Sequence, residues 1–429
     1  MNRRVLIVSC FFPPLGGGGV QRALKLVRYL PRFGWTPEVL AAESGGGWLR
    51  DPALLDELPA SLPVHRVGAS LGTRAIDRVR AASHTAESGA RPDHLFNLAR
   101  LASGWVMIPD SYMPWARRAR RRARALLATG RFDAVVTTSP PESAHFVVLP
   151  LRDRPPWLAD FRDPWTQRLH FQPPTRVHRR LDAELEAKVV TGADHIVLVT
   201  DPMHDDFARR YPSRAAHMHT ITNGFDPADF PGPDPSIDAA RPLRLLHTGT
   251  LTLRRTVAPL VQTVERLRRR HPQLEDDLQI ELLGGRDANN DRMIQSARLE
   301  RVITTSPGLG HGQVVVRQRR AQALLLIDAG GPGSELTLPG KLFEYLGARR
   351  PIFAFGSHDG VGRILRETGA GVCFGPDETG AAADELGRWI ADARAGRRRE
   401  LGASASVDRY SRVAVAEHFA AALDAMVSK

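Results

Sequence analysis

Short, unbroken apolar runs recur along the chain, and between them stand stretches whose apolar residues are three and four positions apart. The first series of runs is Arg4–Cys10, Glu38–Ala42, Val64–Val67, Asp133–Thr138, Pro156–Phe161, His195–Thr200 and His219–Thr222. A second series follows at Leu243–His247, Gln279–Leu283, Val302–Thr305, Ala323–Ile327, Pro351–Phe355 and Gly369–Cys373. These read as buried strands. Helical spacing appears at Val20, Leu24, Val27 and Leu30, directly after the glycines at 16–19, and over Trp115–Leu127, Leu181–Val190 and Asp201–Tyr211. It returns at Val257, Leu260, Val261, Val264 and Leu267, then over Lys341–Gly347, Thr379–Arg397 and Val413–Val427. From Gly68 to Ser103 the pattern fades to one irregularly flanked helix. Asp229–Arg241 carries prolines and acids without a period, and reads as an interdomain linker.

Each series opens with a strand, a glycine-containing loop and a helix. The fold class this predicts is α/β, with two Rossmann-like domains facing a central cleft. The expected boundaries are 1–228 for the first domain, joined by a C-terminal helix at about 410–429, and 240–409 for the second. At 429 residues the chain is long enough for both. The hydrophobic share of 42% and charged share of 25% fit an ordinary soluble protein. No apolar run approaches the roughly 20 residues of a membrane span. The first run is too short for a signal peptide and is followed by Pro13 and Pro14. Cys10 and Cys373 form no metal or redox spacing, so a reducing cytoplasm is expected.

The formal net charge of +12 and the sequence pI near 10.6 favour anionic partners, although a GC-rich genome would by itself give abundant Arg and Ala. Arg117, Arg118, Arg120, Arg121, Arg122 and Arg124 span roughly 200° of the Trp115–Leu127 helix, with Ala119, Ala123 and Leu126 opposite. Such an arc is a solvated face or a surface drawn to anionic lipid; both readings stay open.

Candidate chemistry lies where loops meet helices. Gly16, Gly17, Gly18 and Gly19 let backbone N–H groups approach a phosphate or a sugar, or simply make a mobile loop. The spacing is not a clean dinucleotide fingerprint. In the second series, Gly249 and Thr250 lead to Arg254 and Arg255, a pair suited to bidentate contacts with a diphosphate. Gly284 follows a strand. The stretch Gly330–Phe355 then reads strand, polar loop, helix, strand, with Leu338, Pro339, Lys341 and Glu344 at and inside the helix start. A buried Glu there accepts two ribose hydroxyls; the plainer reading is an exposed Glu on a crossover helix. Asp160, Arg162 and Asp163 end a strand, where an Asp positions or deprotonates a hydroxyl, or merely pairs with an Arg to cap a turn.

The segment Pro339–Ile352, together with FPPLGGGGVQR, TSPP, PWLADFRDPW and the NG-x-D of Asn223–Asp226, resembles glycosyltransferase family 4, whose members are retaining enzymes with the GT-B fold. The resemblance implies that Glu344 holds the donor ribose. It implies too that Lys341 and Arg254 or Arg255 stabilise the leaving diphosphate, and that Ser139 and Asn223 lie on the acceptor side. Two departures stand out. The family's first Glu falls at Leu336, with Glu335 the nearest acid, and the His often found near Asp160 is missing.

The reading reached is transfer of a sugar from a nucleotide diphosphate sugar, UDP by default, to a hydroxyl acceptor such as a lipid-linked saccharide or a small metabolite. No tightly bound metal or cofactor is expected. The enzyme is expected to be cytoplasmic, and peripheral at the inner membrane face if the arginine helix binds lipid. The alternatives are a GT-B nucleotide-sugar 2-epimerase, for which no acid or His constellation stands out, and a nucleic-acid-binding protein, for which no module is present.

Overall fold

The structure is a computed structural model and describes residues 3–43, 50–68, 107–168, 173–232, 242–252, 255–271, 274–329, 333–397, 399 and 404–428. The helix expected within 68–103 falls, beyond Gly68, outside the described residues. The chain divides into two compact units, Met1–Thr222 with Arg412–Lys429, and Asn223–Ser411.

The first unit is built on seven strands: β1 Arg3–Ser9, β2 Trp35–Ala42, β3 Val64–Val67, β4 Ala134–Ser139, β5 Trp157–Phe161, β6 His195–Leu198 and β7 Met218–Thr220. They pair in parallel in the order β3-β2-β1-β4-β5-β6-β7. The runs are unbroken because both sheet faces are covered. Leu6 and Val8 pack into one core with Trp115, Ala119 and Ala123, while Val5 and Ile7 pack into another with Val27, Phe419 and Leu423. Phe419 and Leu423 belong to the helix Arg412–Val427, so the last helix of the chain closes the first unit's core. Its Asp424 accepts from the Trp35 indole at 3.0 Å.

The helix Met113–Leu127 buries Trp115, Ala116, Ala119, Ala123, Leu126 and Leu127. Arg117, Arg118, Arg121, Arg122 and Arg124 are exposed. Arg120 is half-buried and donates to Phe146 O at 3.0 Å; of the exposed ones, Arg118 donates to Gly68 O at 3.3 Å and Arg122 Nη2 lies 3.1 Å from His65 Nδ1.

The second unit carries β8 Leu243–Thr248, β9 Leu278–Leu283, β10 Ile303–Ser306, β11 Ala323–Ile327, β12 Ile352–Phe355 and β13 Gly371–Phe374. All are parallel, in the order β10-β9-β8-β11-β12-β13. This is the strand order of a doubly wound dinucleotide-type sheet. Leu245, Leu325 and Phe353 face Leu260, Leu386 and Trp389, whereas Leu246, Leu324 and Ala354 face Leu342, Phe343 and Leu346. The linker expected at Asp229–Arg241 begins in a short turn, Pro227–Asp229, capped by Asp226; residues 233–241 lie outside the described residues. Among the described residues no helix is long and apolar enough to cross a membrane.

Candidate functional site

In the second sheet the strand order reverses between β8 and β11, and open α/β sheets bind ligands at the carboxyl ends of strands at such a point. His247 and Thr248 end β8, and Gly249 follows with φ 130°. Gly284, after β9, has φ 133°, and a Cβ there would lie 2.2 Å from Gly249 O. A Cβ on Gly249 would in turn lie 3.0 Å from Lys341 Cε. Only glycine fits at both places, and the Lys341 stem lies across the loop as a result. The loops are tied by Gly249 N to Leu283 O at 2.8 Å and Leu251 N to Gly285 O at 2.9 Å. Thr250 is exposed beside Gly285.

The helix Gly340–Ala348 starts after Leu338 and Pro339 with no side-chain cap and no acid in its first turn. Gly340 is exposed, with open space at its Cβ position. The first turn thus offers free N–H groups and a positive dipole end. Lys341 Nζ donates to Glu344 Oε2 at 3.2 Å, with both side chains about one-third exposed. Beneath them lies a buried polar relay. Gln318 Nε2 donates to Glu344 Oε2 at 3.3 Å and to Thr248 Oγ1 at 2.9 Å, and Thr248 N donates to Tyr345 Oη at 2.8 Å. Glu344 therefore stands on a fixed base with one edge toward solvent.

Arg255 Nε lies 3.9 Å from Asp328 Oδ1 at the end of β11. Burial pushes the Asp328 carboxyl up to about 6, against the pull of a hydrogen bond from the Ala329 backbone and of the Arg255 charge. Arg254 lies outside the described residues. Glu335 is half-buried in the turn Ser334–Leu336, between β11 and the helix, and makes no ion pair among the described residues.

The first unit gathers its candidates at the ends of β4 and β5. Gly16–Gly19 lead into the helix Gly18–Tyr29, which has no side-chain cap and no acid in its first turn; Gly17 and Gly18 are exposed. Arg22 of this helix is buried and grips Asp160 at two points, Nε to Oδ2 at 3.0 Å and Nη2 to Oδ1 at 2.9 Å. Thr138 Oγ1 adds a third bond to Asp160 at 2.7 Å, and Arg22 also donates to the carbonyls of Ile221 and Thr222. Of the two readings given to Asp160, positioning or deprotonating a hydroxyl or pairing with an Arg, the structure shows an Arg pair, made with Arg22. The carboxylate is fully buried and both its oxygens are taken, so it is the anchor of the glycine-loop helix.

Arg162, expected among the catalytic candidates at this strand end, binds backbone carbonyls. Its guanidinium donates to Ser139 O at 2.7 Å, Pro140 O at 2.6 Å and Gly19 O, and so holds two loops together by their backbones. Ser139 is buried, with Oγ 3.4 Å from Asp160 O. Asp163 is half-exposed and is the one of the two acids with an open side. Asn223, half-buried, opens the second unit just after β7. Glu142, which the sequence reading gave no role, is buried beside Arg168 at 2.9 Å, and burial raises its carboxyl to about 7.

Two parallel doubly wound sheets with phosphate-suited loops at their strand ends define a class, and comparison with solved structures gives it as the GT-B glycosyltransferase fold. Sucrose-phosphate synthase from Thermosynechococcus elongatus superimposes with a TM-score of 0.62 at 15% identity, covering 99% of each chain. HepE from Anabaena, solved in complex with UDP, gives 0.62 at 15% identity over 99% of this chain and 100% of its own. The lipopolysaccharide outer core galactosyltransferase WaaB gives 0.59 at 13% identity over 99% of both. More specifically, residues 17–224 match the family model described as the glycosyl transferase 4-like domain, in line with the resemblance read from the sequence motifs. No curated protein matches the chain in sequence.

Proposed function

We propose that this chain is a glycosyltransferase that moves a sugar from a nucleoside diphosphate sugar, UDP-linked by default, to a hydroxyl acceptor with retention at the anomeric carbon. The observation that carries this reading is the Lys341–Glu344 pair over Gly249, beside the uncapped start of the helix Gly340–Ala348 and at the switch point of the second sheet. A carboxylate and an ammonium held together on one helical turn match the two ends of a nucleoside diphosphate. Glu344 accepts the ribose hydroxyls, and Lys341 turns to the diphosphate. Arg255, on the neighbouring loop, adds a second cation to the leaving group, so charge that grows as the glycosidic bond breaks meets fixed positive charge. Lys341 and Glu344 neutralise each other while no ligand separates them.

HepE has been solved with UDP, with UDP and glucose, and with UDP-glucose, which supports the same donor class here. Retention follows the resemblance to family 4. The acceptor belongs to the first unit's strand ends, where Asp163 is the acid with an open side. Polysaccharide, glycolipid or metabolite glycosylation all suit such a site, and the exposed arginine face suits work at an anionic membrane surface. A thermal-shift panel of UDP, GDP, ADP and TDP tests the reading, because a ligand that binds only the native state raises its melting temperature by mass action. One base should stand out. A flat response to all four would refute a nucleotide-sugar enzyme.

A further inference from the structure

Beneath Lys341 lies a buried side chain that none of the chemistry above uses. His247, at the end of β8, is 3% exposed. Its Nδ1 lies 3.0 Å from Leu325 O, and a carbonyl can only accept, so Nδ1 carries the proton. The other nitrogen, Nε2, is buried and has no hydrogen-bond partner among the described residues. It points to the loop floor: the Cβ position at Gly249 lies 3.9 Å from His247 Nε2 and 3.0 Å from Lys341 Cε. Burial, with the charges of Lys341 and Arg255, depresses the imidazole to about 4 against the opposing Leu325 bond, so the ring is neutral at working pH and Nε2 is a lone pair. The same Leu325 carbonyl accepts from Tyr345 Oη at 3.4 Å, which joins His247 to the relay under Glu344.

A buried acceptor without a donor is costly, and such an atom calls for a partner, whether a water or a ligand group. A neutral Nε2 offers no proton to a phosphate oxygen, whereas a hydroxyl can donate to it. Lys341 Nζ, bonded to Glu344, turns to the diphosphate in the reading above, which leaves Nε2 to another donor. We infer that His247 is a further donor-binding residue, whose Nε2 accepts a hydrogen bond from a hydroxyl of the nucleotide sugar seated over Gly249. The inference rests on the nucleotide-sugar reading above. The hydroxyl belongs either to the ribose or to the transferred sugar, and the two are separable by experiment.

The test is calorimetric titration of wild type, His247→Asn and His247→Phe with UDP and with UDP-glucose, or with the corresponding GDP, ADP or TDP pair if that base binds more tightly. Asn keeps an N–H near Nδ1 for Leu325 O and lacks the Nε2 acceptor; Phe keeps the ring and loses both. The expected result is a loss of roughly fivefold to tenfold in UDP-glucose affinity for His247→Asn. Undiminished UDP binding beside that loss gives the hydroxyl to the transferred sugar, and an equal loss for UDP gives it to the ribose. UDP-glucose affinity that is unchanged or tighter in both folded variants overturns the assignment. So does wild-type affinity that strengthens from pH 7.5 to 5.5 while His247→Asn stays flat, since that marks an imidazolium on phosphate. Wild type that binds none of the four nucleotides overturns the nucleotide-sugar reading itself.

Discussion

Removing either member of the Arg22–Asp160 pair strands a charge inside the first unit. Both side chains are essentially unexposed, and the pair joins the glycine-loop helix to β5 and to the carbonyls after β7. Breaking a buried pair on one side costs about 3–5 kcal/mol. Asp160→Ala and Arg22→Ala should each lower the unfolding free energy by an amount of that order, read from urea unfolding followed by circular dichroism. A base acting on an acceptor hydroxyl would behave otherwise: Asp160→Asn would keep the wild-type midpoint and lose turnover, and that outcome would restore the catalytic role. The sequence showed Asp160 beside Arg162 and so suggested a local pair. The true partner is Arg22, far away in the chain, which periodicity cannot disclose. Gln318 and His247 escaped notice for a similar reason, since each matters only through what the fold sets beside it.

Among the elements, the glycines divide into two kinds. Gly284 has a left-handed-side φ and no room for a methyl group beside Gly249 O, whereas Gly18 starts a helix with open space around it. Gly284→Ala should cost roughly 2 kcal/mol or more in denaturant unfolding, and Gly18→Ala should fall within about 0.5 kcal/mol of wild type. Equal effects would mean that the β8 and β9 loops are not locked as described. The arginine helix carries a different prediction. Five exposed arginines on Met113–Leu127 should bring the protein to anionic vesicles in low salt, each contributing on the order of 1 kcal/mol. Binding should vanish near 1 M salt, where the Debye length is about 3 Å. The comparison is co-sedimentation of wild type with a variant carrying Gln at Arg117, Arg118, Arg121 and Arg122; equal binding in low salt would make the helix a solvated face. The strands were legible because their apolar runs are short, and the glycine-led helices because their apolar residues recur at helical spacing. The helices His311–Arg320 and Ala288–Ser296 were not, because the first bunches its valines together and the second is mostly polar.

At the scale of the molecule, two parallel sheets of seven and six strands repeat one plan, and each puts a glycine loop and an uncapped helix at its strand ends. That repetition was visible in the chain, as was the helix bearing Lys341 and Glu344. The assignment of the last helix to the first unit came from the resemblance to GT-B enzymes, since nothing in its apolar spacing says which core it closes. The central claim is that the second unit holds a nucleoside diphosphate sugar by Glu344 at the ribose and Lys341 at the diphosphate. Titration of UDP-glucose into wild type and Glu344→Gln tests it most directly. A hydrogen bond to a charged group is worth roughly 1.5–3 kcal/mol, so the account predicts affinity lower by about tenfold to a hundredfold in a variant that keeps its melting temperature. Equal affinity in a folded Glu344→Gln variant would contradict it.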